Sequence, residues 1–113
     1  MKIASLTQDL VYNDKKPSIQ VLLETETSKE IRIVFKKGQH MKEHKTPFPI
    51  VVHVFKGAID FGVHGTKQQL EAGSLIALDG HVPHDLTATE DSIIRLSLSI
   101  KDKIERVQNI ITN

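Results

Sequence analysis

The chain has no cysteine and no tryptophan. The first absence removes disulfide staples, thiolate metal sites and cysteine nucleophiles together, and it suits a reducing compartment. A cytoplasmic protein is the expectation. Aromatic residues make up only 4% of the chain, too few for a platform on which bases stack. Charge of one sign is also lacking: 15 basic residues face 14 acidic ones. With no basic stripe, a nucleic-acid partner is not expected. No apolar run approaches the ~20 residues of a membrane span, and Met1–Asp9 holds no apolar core of signal-peptide length. No membrane association is expected. The serine elbow Gly-x-Ser-x-Gly and a phosphate-binding glycine loop are missing too. What remains, at 113 residues, is one domain over 1–113, large enough to bury a core of its own.

The residues that are present alternate. Ile19, Val21 and Leu23 alternate with Gln20 and Glu24; Ile31, Ile33 and Phe35 with Arg32 and Lys36; Ile94, Leu96, Leu98 and Ile100 with Arg95, Ser97 and Ser99. A period of two places one face of each segment in a core and the other towards water, as in half-buried antiparallel strands. Between residues 50 and 78 the runs Ile50-Val-Val, Val54-Phe and Leu75-Ile-Ala-Leu are apolar on both faces. They read as central strands whose second face is covered by another sheet or by a partner subunit, so a homodimer is expected. Turn signals at Asn13-Asp14, Lys37-Gly38, Pro47 to Pro49, Lys56-Gly57, His64-Gly65, Ala72-Gly73 and Asp79-Gly80 separate the segments. Such spacing argues for a sandwich or barrel over about 18–99. Beyond it, Ile100, Ile104, Val107 and Ile111 recur at helical spacing after a sequence like a capping box, Ser99-Ile-Lys-Asp102. That pattern predicts a short amphipathic helix over about 100–112, either a lid on the barrel or a dimer contact.

Two stretches lead from a glycine to a histidine: Gly38 to His44, and Gly73 to His84 through Pro83. Proline fixes φ and steers the side chain that follows it. Together the stretches resemble the two motifs of a small cupin, over roughly residues 30 to 99. In the first motif a glycine is followed by five residues, a His, any residue, a second His, a Glu and a closing glycine. Here His44 matches the first His, Thr46 stands at the second, Ile50 at the Glu, and Gly57 closes. In the second motif Asp79 and His81 replace the usual proline and glycine, and His84 matches the histidine. The resemblance implies an all-β antiparallel double-stranded β-helix, a jelly-roll barrel with its site in the lumen. Of the family's four metal-binding positions, it carries over only His44 and His84.

Two imidazoles make a weak site for a transition metal, which takes three or four protein ligands. His40 shares the parity of His44, yet four residues along a strand is ~13 Å, too far for both rings to reach one ion. His53 is a weaker candidate, because its parity opposes Ile50, Val52 and Val54 and only a bulge near the prolines would turn it in. His81 is another weaker candidate, entering from the loop, and Asp79 or Asp85 could add a carboxylate. His64 lies in an exposed turn. Two functions follow. In one, His44 and His84 with substitute ligands hold a divalent Fe, Zn, Mn or Ni and act on a small molecule. In the other, a non-catalytic barrel without tightly bound metal binds or senses a small molecule, in a pocket that includes Phe35, Thr46, Ile50, Val52 and Phe61.

Overall fold

The computed structural model describes residues 1–112. Its most regular part is the pair β2 (Ser28–Phe35) and β9 (Ser92–Ser99), antiparallel in unbroken register from Ser28 opposite Ser99 to Phe35 opposite Ser92. The alternation in both segments is why. Ile31, Ile33 and Phe35 from one strand, with Ile94, Leu96 and Leu98 from the other, point into one core. A slip of one residue would move all six to the outside.

Three further strands complete this sheet: β1 (Ser18–Glu24), β4 (Ile50–Lys56) and β7 (Leu75–Leu78), in the order β1-β2-β9-β4-β7. The opposing sheet contains β3 (His40–His44), β5 (Ala58–Val63), β6 (Thr66–Glu71), β8 (His84–Ala88) and β10 (Ile111–Thr112), in the order β10-β3-β8-β5-β6. Met41, Ile59, Phe61 and Leu86 from this sheet meet the isoleucines of the other to form the core. The result is the expected all-β barrel of two antiparallel sheets. Gly57, at φ +88°, lets the chain cross from β4 to β5. A side chain there would collide with Ser92 Oγ and the Asp91 carbonyl.

The outer face of the first sheet is divided. A cross-strand row runs Gln20, Arg32, Arg95, His53, Leu75. Arg32, 3% exposed, donates to the carbonyls of Ser5, Gln8 and Asp9 and to Gln20 Oε1, which pins the N-terminal segment over β1 and β2. The β4 and β7 half carries Val51, Phe55 and Leu75, exposed at 40%, 40% and 67%. Their apolar second face is therefore covered by no other sheet of this chain.

The expected short C-terminal helix is present, over a shorter span. Only α1 (Ile104–Gln108) is helical, with Lys103 at its N-cap making no side-chain cap bond. Ser99 to Asp102 is a turn, closed by Asp102 N–H donating to the Ser99 carbonyl at 2.9 Å. Ile111 and Thr112 then pair with Met41 and His40. The open edge of β3 offers unpaired backbone groups, and β-branched Ile110, Ile111 and Thr112 favour a strand there over a second helical turn. The apolar positions nevertheless face inward: Val107 is fully buried and Ile110 is 8% exposed. No helix among the described residues is long and apolar enough to cross a membrane.

Candidate functional site

The site begins with an irregularity in β3. Met41 lies opposite Leu86 and His44 opposite His84, three steps on one strand against two on the other. Met41 points into the core, so strict alternation would send Glu43 inward and His44 outward. The extra residue at Lys42-Glu43, both exposed, forms a bulge that turns His44 inward to face His84. The same bulge corrects the parity shared by His40 and His44. His40 lies opposite Thr87, next to inward Met41, and faces away.

His44 and His84 meet edge to face, ring centroids 4.2 Å apart at 63°. Phe61 stacks on the other side of His84 at 5.6 Å and 11°. Each imidazole is oriented in the same way, through a backbone carbonyl two residues earlier in the chain. His44 Nδ1 lies 2.7 Å from the Lys42 carbonyl and His84 Nδ1 2.9 Å from that of Val82. A carbonyl only accepts, so both Nδ1 atoms carry the proton and both Nε2 atoms present a lone pair. Burial is the largest influence on each ring. It outweighs the Lys42 carbonyl and, with the charge of Arg106, holds His44 down at about 4. His84 is likewise lowered, by burial first and then by Arg106, against the Val82 carbonyl. At neutral pH both rings are uncharged acceptors.

These rings border a lumenal cavity of about 20 Å³, whose walls include Ile50, Val52, Phe61 and Leu86. That is room for about one water molecule. The tail closes it, because Arg106, Val107 and Ile110 also line the cavity. Asp102, 3% exposed, fastens this closure. Its Oδ2 accepts from Thr46 Oγ1 at 2.6 Å and from Arg106 Nη2 at 2.9 Å, and its Oδ1 accepts from Arg106 Nε at 2.8 Å. Burial works against the Asp102 charge. The bonds from Arg106, Thr46 and the Lys103 amide, together with the guanidinium charge, outweigh burial, and the carboxyl titrates below its usual range. Arg106 Nη1 is buried and has no hydrogen-bond partner.

Of the pocket residues expected from the sequence, Ile50, Val52 and Phe61 line the cavity, while Phe35 and Thr46 are buried elsewhere. Phe35 sits at the far end of β2, and the Thr46 hydroxyl is committed to Asp102. His53 faces outward between Arg95 and Leu75 and packs edge-on against Phe55. His81 is exposed in the loop at φ 68°, with its amide on the Thr46 carbonyl. Neither reaches the lumen. Asp85 points from the outside of β8 towards Gly62, and Asp79 is exposed. Arg106 and Asp102 escaped the sequence reading. The signal that could have found them is their i, i+4 spacing with opposite charge.

A resident metal of the kind the barrel family suggests fits this donor set poorly. Among the described residues no group of three or more His, Cys, Asp or Glu could hold an ion. Two imidazoles on one tetrahedral ion would stand with centroids about 5 Å apart, farther than the 4.2 Å here.

Neither a family model nor a curated protein matches the chain. Solved structures do match it. An RmlC-like cupin protein from Desulfovibrio desulfuricans is similar with TM-score 0.80 and 20% identity, over 88% of this chain and 96% of that one. A conserved Klebsiella pneumoniae protein with a double-stranded β-helix domain gives 0.76 and 20% over 88% and 89%. An RmlC-like cupin from Shewanella frigidimarina gives 0.71 and 23% over 77% and 78%. At such identities the likeness speaks for the backbone architecture and leaves the chemistry to the residues. Two antiparallel sheets in the same arrangement, closing on inward histidines from the two motif strands, make this chain a small barrel protein with the cupin fold.

Proposed function

We propose that the protein is a small-molecule-binding or sensing barrel that works without a resident metal, using His44 and His84 as polar handles in an apolar lumen. One observation carries the reading. Two neutral imidazoles, each fixed by its Nδ1–H on a backbone carbonyl, present acceptor Nε2 atoms to a cavity that offers no third metal donor. Pockets of this kind recognise ligands through a few placed polar groups on apolar walls. The test is elemental analysis of freshly purified protein, followed by thermal shift against divalent Fe, Zn, Mn and Ni and against a panel of small polar compounds. Stabilisation by an organic compound, with no stoichiometric metal and no shift on adding metal, supports the reading.

One feature favours a second reading. An imidazole whose Nδ1–H is held by a carbonyl is also the form that ligates metals through Nε2. A metal-assisted enzyme acting on a small molecule would then hold its ion on His44 and His84 with ligands from water or substrate. Stoichiometric metal that is lost in both His44→Ala and His84→Ala would establish it and displace the first reading.

We further propose a cytoplasmic homodimer that buries the exposed Val51, Phe55 and Leu75. A monomer on sizing chromatography would overturn the dimer, and so would a dimer that survives Leu75→Lys.

A further inference from the structure

Resting on the ligand-binding reading, we propose that Arg106 is the third contact of the lumen, and that the site takes a small neutral compound with a hydroxyl beside a second oxygen. The argument is one of complementarity among three polar groups at the cavity. Arg106 has two of its nitrogens on Asp102, but Nη1 is buried without a partner. A buried donor left in that state is costly, and a ligand oxygen that accepts from it recovers the cost. The two Nε2 atoms are acceptors, because both Nδ1–H groups are committed to backbone carbonyls. A matching molecule therefore brings an acceptor oxygen for the guanidinium and a hydroxyl that donates to an imidazole. A hydroxyl on the carbon next to a carbonyl or a second hydroxyl supplies both within one short unit.

Charge selects against the carboxylate analogues. Arg106 is neutralised by Asp102, so the site as a whole carries no net charge to pair with an anion, and an unpaired charge in an apolar lumen is strongly disfavoured. Size selects for few atoms. The closed cavity holds about one water, and a larger guest displaces Val107 and Ile110 outward. Arg106 can stay in place during that movement, because Asp102 ties it to Thr46 on the barrel wall. The tail is then part of the site.

The experiment uses the full chain with selectively 15N-labelled histidine and follows the ring nitrogens of His44 and His84 on titration. The probes are hydroxyacetone, acetone, propane-1,2-diol and lactate. Hydroxyacetone is expected to move both Nε2 resonances saturably. It and the diol, whose second hydroxyl oxygen also accepts, should bind roughly tenfold tighter than acetone, which lacks the hydroxyl and with it one hydrogen bond to a buried partner. Lactate is expected to bind more weakly than hydroxyacetone. In Arg106→Lys, whose ammonium lacks the guanidinium fork, hydroxyacetone should bind roughly tenfold more weakly. Ile104→Ala loosens the packing of the tail but keeps the guanidinium and the Asp102–Thr46 bond, and should retain the native affinity, which separates ligand contact from loosening of the tail. If Arg106→Lys keeps the affinity, the role of Arg106 is overturned while lumenal binding stands; if lactate or acetone binds the native protein as well as hydroxyacetone, the ligand class is overturned. If none of the probes moves either ring, this inference falls, and the metal and compound screens above then decide the binding reading separately.

Discussion

The β2–β9 pair and the mouth formed by β3, β8 and the tail are built by opposite rules. In the first, eight residues face eight without a shift, and the side chains that reach the core are the hydrocarbons Ile31, Ile33, Phe35, Ile94, Leu96 and Leu98. In the second, a bulge breaks the ladder, a one-turn helix and a two-residue strand close the end, and the inward groups are two imidazoles and a guanidinium. Regularity fills space and carries stability, because alternation delivers the same kind of side chain at every second position. Irregularity is what brings polar atoms into that space. The bulge re-aims His44, and the latch on Asp102 holds Arg106 over it.

Four measurements would break or sharpen this contrast. The largest effect is expected in the regular part. Ile94→Ala, at a fully buried position, should cost about 3–4 kcal/mol in urea unfolding, with one cooperative transition that takes the whole barrel with it. A cost under about 1 kcal/mol would mean that the ladder is not the stabilising half. Next, Asp102→Ala leaves the Arg106 charge without its carboxylate and should cost about 2–3 kcal/mol, somewhat under the range for a fully buried pair because Arg106 is 24% exposed. Here hydrogen exchange should rise first at Val107 to Ile111. Uniform acceleration across β2 and β9 would contradict a locally fastened mouth.

The third concerns pH. His44 titrates near 4 in the folded chain against its ordinary 6.5, so between those values the unfolded state binds more protons than the folded one. Stability is therefore full above pH 6.5 and is lost as the pH falls towards 4, with His84 acting in the same direction. The loss should be on the order of 2 kcal/mol, after a discount for the partial exposure of His44. Urea midpoints from pH 7 to 4.5 should show it, and His44→Phe should flatten the curve; an unchanged slope in that variant would remove His44 as its source. Smallest is Thr46→Val, which deletes the 2.6 Å bond to Asp102 while nearly keeping the shape. It should cost about 1 kcal/mol, less than Asp102→Ala, and a reversal of that order would place the strength of the latch in the hydroxyl.

The same contrast explains what could be read in advance. Ile31, Ile33 and Phe35, like Ile94, Leu96 and Leu98, declare their strands by alternation alone. The histidine-to-histidine juxtaposition was legible because motif spacing already includes the bulge, even though the parity argument built on a flat strand misplaced His40. Nothing in Lys42-Glu43 announces a bulge: neither residue is a glycine or a proline. The helix was expected over too long a span because Ile100, Ile104, Val107 and Ile111 satisfy a helical period, while the edge of β3 that captures Ile111 is a tertiary fact. Arg106 fell on the polar side of that expected helix. Its partner Asp102 looked like a cap, and only the folded chain shows the carboxylate turned to Thr46.

Arg32 has a consequence for how copies of the chain can meet. By holding the carbonyls of Ser5, Gln8 and Asp9, it spreads the N-terminal arm as a screen across one half of the outer sheet. Val51, Phe55 and Leu75 sit on the unscreened half, beside the edge strand β7. The arm thus leaves the β4 and β7 half as the part of this face open to contact. A second molecule meeting this face would lie along β4 and β7, away from the arm.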